Sequence, residues 1–106
     1  MAKKVTTAEF QDLITNSQVP VVLDFWAEWC PPCRAFASVI DAFTEEYEGK
    51  VIVGKVNTDE EQALAQKFHI MSIPTVLIFK NGELAETLVG SRSLDELADA
   101  VDVHLN

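Results

Sequence analysis

Cys30 and Cys33 are the only cysteines in the 106 residues, separated by Pro31 and Pro32. Two thiols at that spacing can close a small ring and open it again, so the chemistry on offer is thiol–disulfide exchange. The pair stands where the apolar run Val21-Val22-Leu23-Asp24-Phe25-Trp26 hands over to a helical pattern. Cys30 then takes the helix N-cap, where free N–H groups and the positive end of the helix dipole favour a thiolate. Pro31 falls at the first helical position, and Pro32 is tolerated because first-turn N–H groups have no helical partner. Cys33 lands one turn in, close enough to form a tight disulfide with Cys30. Other readings fare worse. Tetrahedral zinc needs four ligands, and beyond this pair there are only His69 and His104, 35 residues apart. A purely structural disulfide suits a secreted framework, which two cysteines do not make. Inert buried thiols would not account for a pair opening a helix behind two prolines.

Asp24 is the second chemically informative residue. A carboxylate inside so apolar a run is costly to bury in its charged form, so its pKa is expected to be raised. Two plainer alternatives stand beside this: a solvent-facing carboxylate on an edge position, or an ordinary ion pair with Lys55 on a neighbouring strand. Lys55 itself reads either as a group that tunes Asp24 or as a solvated lysine.

The elements that must position these residues are legible from periodicity. Thr6-Thr7-Ala8-Glu9 is a helix start, with Phe10, Leu13 and Ile14 on one face and Asn16-Ser17-Gln18 ending it. Val21 to Trp26 is apolar enough for a strand covered on both faces. After Cys30 a helix turns Phe36, Val39, Ile40 and Phe43 inward and stops at Gly49. Val51 to Val56 is a second buried strand, and Thr58-Asp59-Glu60-Glu61 repeats the helix-start signature before Leu64, Ala65 and Phe68. Thr75 to Lys80 and Leu84 to Val89 are strands joined by Asn81-Gly82, a strong hairpin signal. Ser93-Leu94-Asp95-Glu96 starts a last helix with Leu97, Val101 and Leu105 inward. The order is α-β-α-β-α-β-β-α, with a short strand at Lys3 to Val5 as an optional addition. Strands alternating with helices imply parallel pairing, and the hairpin adds an antiparallel edge. The expected fold class is therefore α/β: a central mixed sheet with helices on both faces, residues 1–106 forming one domain.

Composition narrows the function classes. Eight basic against seventeen acidic residues give a net charge of −9, which repels phosphate backbones and anionic lipid surfaces. Neither nucleic acid nor membrane is expected as a partner. The longest apolar stretch, Val19 to Ala27, carries Asp24 and is too short to span a bilayer. Met1-Ala2-Lys3-Lys4 is followed by Val5-Thr6-Thr7-Ala8-Glu9 rather than by a secretory core, so the expected location is cytoplasmic.

The segment Val22-Leu23-Asp24-Phe25-Trp26-Ala27-Glu28-Trp29-Cys30-Pro31-Pro32-Cys33-Arg34 resembles the active-site segment of the thioredoxin family. Lys55-Val56-Asn57-Thr58-Asp59, Ile73-Pro74-Thr75, Phe79-Lys80-Asn81-Gly82 and Val89-Gly90 follow in family order, so the resemblance covers essentially the whole chain. It implies the thioredoxin fold and a protein-disulfide reductase. Cys30 would be the nucleophile, Cys33 the resolving thiol, Asp24 the proton acceptor and donor for Cys33, and Lys55 the group tuning Asp24. A cis peptide would precede Pro74, which would lie against the cysteines, with the backbone edge at Ser72-Ile73 pairing with an extended substrate. Trp29 would flank Cys30 with a flat apolar surface beside Pro31 and Pro32, while Trp26 would be core-facing. Gly90 would let its loop approach the substrate, its plainer reading being a turn glycine. The resemblance further implies a monomer with no bound cofactor or metal. Its partners would be disulfide-containing client proteins and a thioredoxin reductase supplying reducing equivalents from NADPH.

Four positions at three places depart from the family pattern. Pro31 replaces the usual glycine, deleting an N–H that could face the Cys30 sulfur and stiffening the loop. Ser38 stands where a helix-kinking proline is usual, so the helix is expected to bend less sharply. Met71-Ser72 replaces a basic residue and glycine, making the substrate edge more apolar. Pro31 motivates one rival reading, the same fold poised as a disulfide oxidase or isomerase. A second rival is a binding module that docks partners around Trp29 and Ile73 without redox turnover.

Overall fold

The computed structural model describes residues 2–105; Met1 and Asn106, the outermost residues of the expected domain, lie outside them. Nine elements follow in order: β1 (Lys3–Lys4), α1 (Thr7–Asn16), β2 (Val21–Trp26), α2 (Pro31–Glu46), β3 (Ile52–Asn57), α3 (Gln62–Lys67), β4 (Thr75–Lys80), β5 (Glu83–Val89) and α4 (Leu94–Asp102). They build one five-stranded sheet in the order β1-β3-β2-β4-β5. β3 pairs in parallel with both β1 and β2, while β4 runs antiparallel to β2 and to β5. β2 is therefore the central strand, and Asp24 sits in its middle opposite Lys55 on one side and Val76 on the other.

Alternation along the strands sends side chains to two separate cores. Val22, Val53, Val76 and Ile78 pack with Phe36, Ile40 and Phe43 of α2 and Leu97 and Val101 of α4. Leu23, Phe25, Val56, Leu77 and Phe79 pack on the opposite face with Phe10 and Ile14 of α1 and Leu64 of α3. Helices thus cover both faces, as the sequence predicts. Tyr47, just past α2, stacks on Phe43 and donates its hydroxyl to Asp102 Oδ1 at 2.5 Å, tying α2 to α4.

Two local signals work as read. Ser93 Oγ accepts from the Glu96 N–H and the Glu96 carboxylate from the Ser93 N–H, a reciprocal cap. Asn81 and Gly82 both have positive φ, 55° and 81°, as a tight hairpin turn needs. A third does not. Thr58 caps nothing; Asn57 Oδ1 instead accepts from the N–H groups of Asp59 and Glu60, folding residues 58–60 into a turn, and α3 begins only at Gln62. Similarly, α2 ends at Glu46, and Gly49, at φ 83°, lies in the turn beyond it.

Gly54 is where the sheet admits no side chain. A Cβ there would stand 2.5 Å from Val5 Cγ2 and 2.8 Å from Leu23 Cδ2, and both residues are fully buried. Gly54→Ala is therefore expected to cost about 1–3 kcal/mol through overpacking. Thermal melts check this, the expected drop being about 4–8 °C per kcal/mol; an unchanged melting temperature would mean that β1 can shift freely away.

The candidate redox site

The site forms where β2 ends and α2 begins. β2 runs into Ala27, a turn follows, and Cys30 caps α2 with extended backbone, followed by Pro31 and Pro32 at the first two helical positions. Cys30 and Cys33 are joined in a disulfide, their Cα atoms 5.2 Å apart. Because neither proline has an N–H, the Cys33 amide is the first-turn donor left to the capping side chain, and it reaches Cys30 Sγ at 3.2 Å. The next amide, that of Arg34, bonds the Cys30 carbonyl at 3.1 Å. One directed N–H and the helix dipole thus favour negative charge on Cys30. α2 continues unbroken through Ser38, whose hydroxyl donates to the Ala35 carbonyl at 3.2 Å.

Both cysteines are 3% exposed and pack with Ala27, Trp26 and Ile73. The Ile73–Pro74 peptide is cis, and the Ile73 carbonyl lies 3.8 Å from Cys30 Sγ. The Ser72 carbonyl is held by the Thr75 hydroxyl at 2.6 Å, and the Gly90 N–H donates to the Pro74 carbonyl at 2.8 Å. The structure therefore places Ile73 against the cysteines, with Ser72 and Pro74 on either side of it in the chain and Gly90 bonded to Pro74. Two large apolar side chains are exposed in the flanking segments, Trp29 at 65% and Met71 at 93%.

Asp24 lies in the middle of β2, on the face it shares with Val22, which α2 covers. It is 1% exposed, and neither carboxylate oxygen has a hydrogen-bond partner. Desolvation pushes its pKa up to about 7, with the positive charge of Lys55 pulling the other way. The edge-strand alternative for Asp24 does not hold, and the plain ion pair fails with it. Lys55 Nζ sits 4.5 Å above the Trp26 ring, beside a cavity of about 280 Å³ lined by Lys4, Trp26, Glu28 and Asn57 among others. Trp26 is correspondingly half-buried rather than wholly core-facing, because its ring supplies the floor on which Lys55 rests.

Two neighbours escaped the sequence reading. Asp59 Oδ2 accepts from Trp29 Nε1 at 2.8 Å, fixing the indole beside Cys30; the signal was Asn57, whose side chain shapes the turn that delivers Asp59. Arg34 Nη1 donates to the Glu28 carbonyl at 3.1 Å and braces the segment leading into Cys30. Among the described residues no group of three or more His, Cys, Asp or Glu is placed to hold a metal ion. No described helix is long and apolar enough to cross a membrane.

A disulfide-bonded cysteine pair capping a helix, beside a cis-proline on a mixed sheet, is the arrangement of a thiol–disulfide oxidoreductase. Comparison with known proteins agrees. The thioredoxin family model matches residues 1–103. Thioredoxin 1 of Synechococcus elongatus is 45% identical over 105 residues, covering 99% of this chain and 98% of that protein. Thioredoxin of Haemophilus influenzae is 41% identical over 101 residues, covering 95% and 94%. The chloroplastic thioredoxin M-type of Spinacia oleracea is 44% identical over 102 residues, which are 96% of this chain and 56% of that longer protein. The chain belongs to the thioredoxin family and is a protein-disulfide reductase.

Proposed function

We propose that residues 1–106 act as a monomeric, single-domain reductant of client proteins, with Cys30 as nucleophile and Cys33 as resolving thiol. The Cys30 thiolate attacks one sulfur of a client disulfide; that S–S bond breaks, and the departing client thiolate takes a proton from solvent. Asp24 then accepts the Cys33 proton, and Cys33 sulfur attacks Cys30 Sγ, closing the internal disulfide and expelling the second client thiolate, which is protonated in turn. Two electrons pass from the dithiol to the client. Lys55 steadies the Asp24 carboxylate while it is charged. Trp29, Pro31 and Pro32 form one wall of the client site; Ser72, Ile73, Pro74 and Gly90 form the other, an extended edge for strand-like pairing. The observation that carries this reading is the capping geometry, in which the Cys33 N–H reaches the sulfur of Cys30.

The clients are disulfide-bearing proteins, and the dithiol is restored by a thioredoxin reductase drawing on NADPH. A cysteine pair used for exchange rather than as a framework suits the reducing cytoplasm, where this reading places the protein. The oxidase or isomerase reading rests on Pro31, which removes an amide from the first turn of α2.

Equilibration of the Cys30–Cys33 couple against thiol/disulfide buffers tests the reading. The expected result is a potential as low as that of a general cytosolic reductant. About 30 mV corresponds to 1.4 kcal/mol for a two-electron couple, so the measurement resolves small differences in dithiol stability. A value far above the reductant range favours the oxidase, and no reversible couple favours the binding module.

A further inference from the structure

The loop after β5 is held by a side chain that the redox chemistry does not require. Arg92 Nη1 donates to the Val89 carbonyl at 2.7 Å and lies 3.3 and 3.4 Å from the carbonyls of Ser91 and Gly90. Three successive carbonyl oxygens therefore converge on one guanidinium nitrogen. Carbonyls gathered this way repel one another unless a cation sits between them, and the convergence occurs at Gly90, whose φ of 90° only glycine adopts readily. Glu96, whose charge feels Arg92, is committed to the Ser93 N–H at 2.9 Å, leaving the guanidinium to the loop. From there one hydrogen bond and one step along the chain lead to the redox pair. Gly90 N–H donates to the Pro74 carbonyl, and the carbonyl of Ile73, just before it, faces Cys30 Sγ.

We propose that Arg92 is a positioning residue for client recognition, presetting residues 89–91 so that this loop and Ile73 face an extended client segment before it binds. The proposal rests on the reading of Ser72 to Gly90 as the client edge. Arg92 touches neither cysteine, so it acts on docking rather than on sulfur chemistry. The loop lies at the surface, with Val89 57% exposed. Carbonyls released in a variant are rehydrated, so little folding stability is lost. What is lost is preorganisation, and the cost of ordering the loop moves to the binding step. Lysine would supply a point charge without the planar fork, and so only part of the effect.

The test uses pre-reduced wild type, Arg92→Leu, Arg92→Gln and Arg92→Lys in single-turnover reactions. One substrate is a synthetic extended peptide with an internal disulfide; the other is a small aromatic disulfide that needs only access to Cys30. For Arg92→Leu, half-saturation by the peptide should rise by about three- to tenfold, the effect of ordering one short loop, while the saturating rate and the small-disulfide rate are unchanged. Arg92→Gln should follow Leu, Arg92→Lys should recover part of the loss, and the Gly90 amide should exchange faster wherever docking weakens. Equal losses on both substrates, a fall in saturating rate alone, or no loss in any variant overturns the proposal. A wild type that reduces the small disulfide but not the peptide fails the client-edge reading itself, and Arg92 with it; a wild type active on both with unaffected variants fails Arg92 alone.

Discussion

Cys33→Ser should turn this catalyst into a covalent trap. Cys30 is left with its capping amide, since that N–H belongs to the backbone of residue 33 and survives the substitution. Its thiolate still attacks a client disulfide, but no second sulfur stands one helical turn away to break the mixed disulfide. The adduct should accumulate to about one client per domain, visible by mass and dissolved by added dithiol. Cys30→Ser should form no adduct and lose turnover altogether, because Cys33 lies inside the first turn of α2 and is not the capping residue. The asymmetry is the point of the experiment. Adducts on Cys33 in the Cys30→Ser protein, with none on Cys30, would reverse the assignment. Release of client by Cys33→Ser at the wild-type rate would mean that an external thiol, not Cys33, resolves the intermediate.

How far the sequence reached depends on whether the determining contact is local. Ser93 and Glu96 cap α4 as read because both partners lie within one turn, and Asn81-Gly82 forms its turn because both residues accept positive φ. The Cys30 cap and the two prolines of α2 follow from the same kind of short-range rule. Thr58 misled because two acceptors competed for the same amides, and the neighbouring Asn57 side chain took them. His69, at φ 54° just beyond α3, occupies a backbone region usually left to glycine or asparagine, and nothing in its type announced this. The Trp29–Asp59 bond and the Arg92 loop join residues whose proximity is set by the turn after β3 and the end of β5, which periodicity alone does not place. The cis peptide at Pro74 came from family resemblance; spacing by itself says only that a proline edges a strand. Asp24 lies between these cases. The apolar run around it suggested burial but left an edge position open until β2 proved central, and the absence of any hydrogen-bond partner for it was not legible at all.

That absence gives the largest expected effect on stability. Asp24 takes up a proton near pH 7 in the folded domain, against an ordinary value of 3.8, so between those values the native state holds a proton that the unfolded chain has lost. Stability falls with rising pH wherever the native state binds more protons. The contribution is therefore fully present below pH 3.8 and is lost as pH rises through about 7. At about 1.4 kcal/mol for each tenfold change in proton affinity, the cost above that range is about 4 kcal/mol. Asp24→Asn keeps the size and neutrality of the protonated acid. It should match wild type near pH 4 and exceed it by about 4 kcal/mol at pH 9, in denaturant unfolding of the oxidised protein at each pH. Stability curves that stay parallel across that range would show that Asp24 does not titrate in the buried state. Catalysis should move the other way. Without a carboxylate to take the Cys33 proton, resolution of the mixed disulfide should slow on the order of 10²-fold at pH 7, the lower end of general-base effects, while formation of the adduct by Cys30 is spared. Lys55→Met removes the one charge that pulls the Asp24 pKa down, so it should shift the midpoint of both pH profiles upward without abolishing either step. On the function proposed above, a domain whose most buried carboxylate costs it stability at working pH holds that group for its proton, and the opposite signs of the two Asp24→Asn effects are what separate that role from packing.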